Sequence, residues 1–303
     1  MNYLVSVIIP AYNTGEVIRE TIGSVIAQTY SNFEIIIIDD GSNDNTQEII
    51  KSINDNRIKY YYQKNSGLPA QVRNAGVKFS KGELIAFLDH DDAWMPEKLQ
   101  AQIEVIKNNP DIALVSANAF FMYDKEKTKK LLITGVKSGY FKANVFIPLS
   151  RVIPSTILVK KSSFDKVGGF NEAPDLFAAE DYDFWLRIYS QFLCYYINAP
   201  LMYYREKTGS ASGKESEMLK RALHHYNKYF SAYGFPKKIN QARRFEMLAA
   251  LYARKIFLRD KECAECLAAQ KLSIGTLFAF ILWAAFSLPF KSKKIYELFF
   301  KRK

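Results

Sequence analysis

Apolar positions in the first 120 residues come in short continuous runs and do not alternate with polar ones. Residues 4–9, 33–39, 84–89 and 112–117 are rich in Val, Ile, Leu and Phe, and 58–62 is Ile-Lys-Tyr-Tyr-Tyr. Such runs belong to strands buried on both faces, and so predict a mainly parallel sheet. Between them lie amphipathic stretches at 16–28, 45–53, 68–79 and 96–108 that predict helices. Turn signals part the two kinds of segment, notably Asp40-Gly41-Ser42 and the helix start at Pro96. A strand–helix series of this kind predicts an α/β chain, with an open doubly wound sheet, right-handed crossovers and helices on both faces.

From residue 121 the pattern changes. A basic loop at 124–130, strands at 156–160 and 193–197, and a strong helix at 180–190 are expected before residue 212. Beyond about 213 the chain reads as helical, and residues 272–290 carry no charge, bounded by Lys271 and Lys291. The expected division is 1–110 as one half of a first domain, 111–212 as its other half, and 213–303 as a helical tail.

Composition narrows the class. The chain has 303 residues, 49% hydrophobic and 24% charged, which excludes disorder, a disulfide scaffold and a polytopic membrane protein. Its net charge of +11 is unevenly placed. Residues 1–200 hold 21 Lys+Arg against 23 Asp+Glu, whereas residues 201–303 hold 21 against 8. The excess describes the tail, so nucleic acid is not the expected partner. Cys194, Cys263 and Cys266 suit a reducing compartment, and the apolar run near the N-terminus is too short for a signal peptide. A cytoplasmic location is the expectation. Cys263 and Cys266 lack a second pair for zinc, and neither a G-x-G-x-x-G nor a Walker loop follows any strand.

The chemistry-bearing residues are acidic. Asp39 and Asp40 close the second strand, while Asp89, Asp91 and Asp92 close the fourth. Open α/β sheets bind ligands beyond the carboxyl ends of their strands. Carboxylates converging there repel unless a cation or a donor-rich ligand lies between them. The pattern points to Mg²⁺ or Mn²⁺, which also takes phosphate oxygens; capping of the following helix is the plainer alternative, above all for Asp92. In the run 180–190, helical spacing puts Asp181 on the face of Trp185 and Ile188. A carboxylate on that apolar face has a raised pKa and suits a general base. Asp183 and Arg187, four apart, read as a surface ion pair, and Trp185 reads first as core. His90, His224 and His225 form no metal constellation.

Taken together, these residues resemble glycosyltransferase family 2, with its GT-A nucleotide-sugar-binding fold. The matching pieces stand in family order: Ser6-Val-Ile-Ile-Pro-Ala-Tyr-Asn13, Ile38-Asp-Asp-Gly-Ser42, Asn65-Ser-Gly67, Arg73-Asn-Ala-Gly76, Gly82-Glu-Leu-Ile-Ala-Phe-Leu-Asp-His-Asp-Asp92, Gly168-Gly-Phe-Asn-Glu172 and Glu180-Asp181. The resemblance covers residues 4–210. It implies that Pro10, Ala11 and Tyr12 line a uracil pocket, that Asp40 and Asp39 bind the base, and that Arg73 meets the nucleotide. Asp89 would lie near ribose and metal, and Asp91 would ligate a Mn²⁺ or Mg²⁺ ion bridging the diphosphate. Asp181 would be the catalytic base of an inverting transfer from a UDP-sugar to a hydroxyl of a glycan or lipid-linked acceptor. Gly168, Gly169, Phe170, Glu180 and Trp185 would border the sugars.

One departure stands out. Family members often carry His two residues after the Arg of a Tyr-Arg pair, and here Lys207 holds that place after Tyr204-Arg205. A mobile loop carrying Arg205 and Lys207 over the diphosphate is one expectation, a solvated loop charge the other. For the tail, binding at the inner membrane surface through 272–300 is the favoured reading, with buried packing and a true span as alternatives. Two competing functions remain at this point, a nucleotidyltransferase-like enzyme and a non-catalytic membrane or nucleic-acid adaptor. The first should show a glycine-rich phosphate loop near the N-terminus. The second leaves the paired aspartates unexplained.

Overall fold

A computed structural model describes residues 2–141, 152–177 and 179–206. The chain separates into two compact units, Met1–Ser210 and Ala211–Lys303. The tail segments, 272–300 among them, and Lys207 lie outside the described residues, as does most of the 138–154 loop.

The first unit is built on one mixed sheet of ten strands. Strands β1 (Val5–Ala11), β2 (Phe33–Asp39), β3 (Ile58–Tyr62) and β4 (Leu84–Phe87) lie in the order β3-β2-β1-β4, all parallel. Every residue of β2 and β4 is buried, as continuous apolar runs require. The sheet continues as β9 (Ile157–Lys160), β6 (Ile112–Tyr123), β10 (Leu193–Glu206) and β5 (Ala93–Trp94). Here β9 is antiparallel to both neighbours, while β6 and β10 are parallel. Two short strands sit off this path, β7 (Glu126–Leu131) on β6 and β8 (Gly139–Phe141) on β10. The expected parallel sheet is therefore present in the first half and becomes mixed in the second.

Helices α1 (Ile18–Ile26), α2 (Thr46–Lys51), α3 (Pro69–Phe79), α4 (Lys98–Asn108), α5 (Lys161–Lys166) and α6 (Glu180–Gln191) connect the strands. Their buried residues recur at helical spacing, as with Ile18, Ile22 and Val25 in α1 and Leu99, Ile103 and Ile106 in α4. Each stripe covers sheet that would otherwise expose apolar area worth about 25 cal/mol per Å².

Two expectations need correction. The basic stretch 124–130 is not a loop: Glu126–Leu131 forms β7, the second arm of a hairpin with β6. The strand expected at 193–197 runs on to Glu206, crossing Pro200 through register shifts on either side of it. A proline removes a ladder donor and is tolerated at such irregularities. No helix among the described residues is long and apolar enough to cross a membrane.

Candidate active site

Strand order reverses direction at β1, which has β2 on one side and β4 on the other. The carboxyl ends of the strands at such a switch point are where open α/β sheets take their ligands, and the predicted aspartates stand at or just beyond the ends of β2 and β4. Pro10 and Ala11 end β1, Ala11 buried beside Asp39, while Tyr12 stands 46% exposed at the rim.

Asp39 and Asp40 organise the loops beside this end. Asp39 is fully buried; its carboxylate accepts the Ser42 N–H (2.8 Å) and the Tyr60 hydroxyl (2.7 Å). Burial, and then that bond, push the Tyr60 phenol far above its ordinary pKa. Asp40 accepts Gln63 Nε2 (2.6 Å), Ser66 N (3.0 Å) and Ser66 Oγ (3.0 Å). Together they fix the Asn65-Ser66-Gly67 turn against Gly41. At Gly41 φ is +83°, and a Cβ would come within 2.7 Å of the Asn65 nitrogen, so only glycine fits. Both carboxylates thus have internal partners, and any base recognition would use their remaining lone pairs.

The strand-end turn 89–92 is held from several sides. The Asp89 N–H donates to Ser155 Oγ (3.0 Å), whose own carbonyl accepts Trp94 Nε1–H (2.9 Å). Thr21 Oγ1 lies 2.8 Å from the His90 carbonyl and 2.9 Å from that of Asp92. Asp92 is buried; burial first, then the charges of Asp91 and Asp89, push its carboxyl far above the usual range. It accepts the Arg205 N–H at 2.9 Å, which ties the turn to β10 and does not cap α4. His90 Nδ1 sits 3.2 Å from the Pro10 carbonyl, which joins the turn to the end of β1.

Arg73, buried on α3, joins the two acidic centres. One of its terminal nitrogens donates to Asp89 Oδ1 at 2.7 Å and the other to Glu180 Oε1 at 3.0 Å. The charge of Asp89 also acts on the Asp181 carboxyl, as the least of the influences on it. The negative partners of Arg73 hold its guanidinium charged despite burial. Asp181, in the first turn of α6, is only partly covered. Burial of its carboxyl, followed by the charge of Glu180, raises its pKa to about 7 against the opposing pull of Arg73. Glu180 and Asp183 share that first turn, where the helix dipole tempers their mutual repulsion.

Metal ligands can be judged on the same turn. Among the described residues the Asp91 carboxylate is half-exposed with no hydrogen bond, and Asp89 Oδ2 is likewise open. Two carboxylate oxygens with open positions suit a hard divalent ion that completes its shell with phosphate oxygens and water. No set of three His, Cys, Asp or Glu ligands is found among the described residues.

Several expected sugar contacts are placed differently. Trp185 is fully buried, its Nε1–H donating to the Val152 carbonyl (2.9 Å), and Phe170 packs among Phe87, Phe164, Phe184 and Trp185. These two rings are core and do not face a ligand. Gly168 and Gly169, at φ +82° and +69°, turn the chain after α5. The Asn74 side chain grips the Phe170 backbone at both its N–H and its carbonyl (2.9 and 2.8 Å). Glu180 is buried against Arg73. The Asp183–Arg187 pair forms (Nε–Oδ2 2.7 Å), but Asp183 is buried, so the pair is not a surface one. Arg205 also departs from the expected mobile loop: it lies in β10, buried, with its guanidinium donating to protein groups. Ser155, Thr21 and Asn74 were not legible as supporting residues, because single hydroxyl and amide side chains carry no spacing signal.

Comparison with known proteins agrees with this geometry. A model described as glycosyl transferase family 2 matches residues 6–168. The Escherichia coli protein WfaP, named a UDP-Glc:alpha-D-GlcNAc-diphosphoundecaprenol beta-1,3-glucosyltransferase, is 36% identical over 225 residues, covering 72% of this chain and 83% of WfaP. The chain spans 58% of the length of one rickettsial glycosyltransferase and 78% of another. Among solved structures, S. aureus TarS with UDP-GlcNAc superposes with a TM-score of 0.68 at 19% identity, covering 92% of this chain and 81% of TarS. The mannosyltransferase PcManGT of Pyrobaculum calidifontis, solved with GDP-Man and Mn²⁺, gives 0.64 at 18%, covering 98% and 82%. The fold is that of the GT-A enzymes, and with the family's model spanning more than half of the sequence the chain belongs to glycosyltransferase family 2.

Proposed function

We propose that the protein is an inverting transferase that moves a sugar from a UDP-sugar to a hydroxyl of a glycan or lipid-linked acceptor, in the assembly of a cell-surface polysaccharide. The observation that carries this reading is the Arg73 bridge, which holds the Asp89 strand end and the Glu180–Asp181 helix start at one place. Support for the donor and acceptor comes from WfaP, whose name gives UDP-Glc and a diphosphoundecaprenol-linked sugar, and from TarS with UDP-GlcNAc.

Pro10, Ala11, Tyr12, Asp39 and Asp40 form the base end of the donor site, with Arg73 and Asp89 beside the ribose and phosphates. Asp181 takes the proton of the acceptor hydroxyl as that oxygen bonds to C1 of the donor sugar. The bond from C1 to the diphosphate oxygen breaks, and the electron pair leaves with the diphosphate. Attack opposite the leaving group inverts the anomeric carbon. Mn²⁺ or Mg²⁺, held by Asp91 and Asp89, would supply positive charge for the departing diphosphate. Asp181 is suited to its part because a pKa near 7 leaves it both ionised and basic at neutral pH. Gly168 and Gly169 keep the backbone low beneath the sugar.

The test is a panel of UDP-sugars with Mn²⁺ or Mg²⁺, followed for transfer to diphosphate-linked glycans. Metal-dependent consumption of one donor with an inverted product is expected. Transfer with retained configuration, or from no nucleotide-sugar, would refute the reading.

A further inference from the structure

The Arg205 side chain is only 1% exposed, and its nitrogens reach separate elements. Nε donates to the Asp91 carbonyl at 2.7 Å, one terminal nitrogen to the Asp124 carbonyl, and the other to Glu20 Oε2 at 2.5 Å. Its backbone N–H holds Asp92 Oδ1. The guanidinium thereby ties α1, the turn 89–92 and the β6–β7 hairpin to the end of β10. At that hairpin Asp124 takes a left-handed φ of 52°, which aims its carbonyl at Arg205.

The consequence falls on Asp91. The peptide carbonyl before it, of His90, is held by Thr21, and its own carbonyl is held by Arg205. With both flanking peptides fixed, the Cα–Cβ direction of Asp91 is set before any ligand arrives, and a ligand has only two side-chain torsions left to order; among the described residues its carboxylate has no hydrogen-bond partner. Preorganised ligands lose little freedom on binding, and sub-ångström placement matters for a hard cation.

We infer that Arg205 is a positioning residue: by fixing the peptide backbone at Asp91 it places that carboxylate within reach of a divalent cation, and it does not itself contact the diphosphate. The inference rests on the proposed nucleotide-sugar reading. A lysine could not replace it, because one ammonium cannot span three acceptors fixed by a planar fork.

The experiment measures Mn²⁺ binding to the full chain in saturating UDP, from the EPR signal of free Mn²⁺, and UDP binding without metal by calorimetry. Arg205→Lys is expected to weaken Mn²⁺ about tenfold while metal-free UDP affinity stays within twofold. Glu20→Ala, which removes one anchor and leaves Arg205 in place, should weaken Mn²⁺ two- to fivefold; it carries the test if Arg205→Lys fails to fold. Unchanged Mn²⁺ affinity in a folded variant overturns the inference. So does a parallel loss of metal-free UDP binding with uridine binding retained, since that is the signature of direct diphosphate contact. Absence of both Mn²⁺ and UDP binding in the unaltered protein overturns the functional reading beneath it, and so is distinct from failure of the inference alone.

Discussion

Asp181 lies between opposing influences, burial and Glu180 disfavouring its charge while Arg73 and the start of α6 favour it. The balance near pH 7 has two consequences. Transfer should rise with pH and level off above about 7, as the base loses its proton. Stability should move the other way. The folded pKa is raised above that of the unfolded chain, so the contribution is complete below about pH 4 and lost as pH climbs through 7. Asp181→Asn should therefore cut transfer by roughly 10²–10⁴-fold. Its melting temperature should equal or exceed that of the parent above pH 7, measured by thermal melts at pH 5 and 8. Near-normal turnover would remove Asp181 from the base role. At Gly169 a methyl group would meet Asn74 Oδ1 at 2.8 Å and the Phe164 ring at 3.1 Å, at a positive φ. Gly169→Ala should cost about 1–3 kcal/mol in denaturant melts. What was legible at this scale was local. Asp181 could be set beside the core because Trp185 and Ile188, both fully buried, share its helix face, though its own residue is only partly covered. Arg205 could not be placed, because its partners at 20, 91 and 124 are brought together only by the folded sheet.

At the scale of elements, a strand or helix was legible where burial is one- or two-faced and continuous. Strands β2 and β3 begin and end at the expected residues, β2 as a fully buried run and β3 as a half-buried run of Ile and Tyr, each between turn signals. Strand β7 was hidden, since its lysines are exposed on both faces and leave no alternation to read. Strand β10 was hidden beyond 197 by Pro200, which its irregular ladder accommodates. Helix α4 holds a less visible feature. Lys98, at its first turn, is fully buried, with Nζ 2.8 Å from Gln102 Oε1 and 3.9 Å from the Trp94 ring centre. Burial pushes its amine well below the ordinary lysine range, and the positive end of the helix dipole adds no relief. The unfolded chain binds a proton at this lysine below about pH 10 where the native one resists, so stability should rise with pH. Lys98→Met should flatten that rise. Melting temperatures between pH 6 and 9 check it, and an identical slope in parent and variant would show that Lys98 is charged in the fold.

Charge gives the whole molecule its polarity. Residues 1–200 carry a slight negative excess, with Asp39, Asp40, Asp89, Asp91 and Asp92 gathered at the strand ends, whereas residues 201–303 hold 21 basic against 8 acidic residues. An acidic catalytic half would repel a polyanion such as nucleic acid, yet it suits a nucleotide that arrives with a divalent ion. The uncharged run 272–290 beside Lys291, Lys293 and Lys294 is proposed to work with that basic excess at an anionic membrane surface, where a lipid-linked acceptor is presented. Each lysine or arginine near such a surface contributes about 1 kcal/mol, and the attraction fades within a Debye length of about 10 Å at 0.1 M salt. The full chain should then sediment with vesicles containing phosphatidylglycerol at low salt and not with neutral vesicles. Molar salt should return most of it to the supernatant, since apolar burial of one short segment gives only partial retention. Binding to neutral vesicles that resists both salt and alkaline carbonate would instead favour a spanning segment. Failure to bind anionic vesicles would place the apolar run in a packed interior, and the acceptor would then have to reach the enzyme free of the membrane.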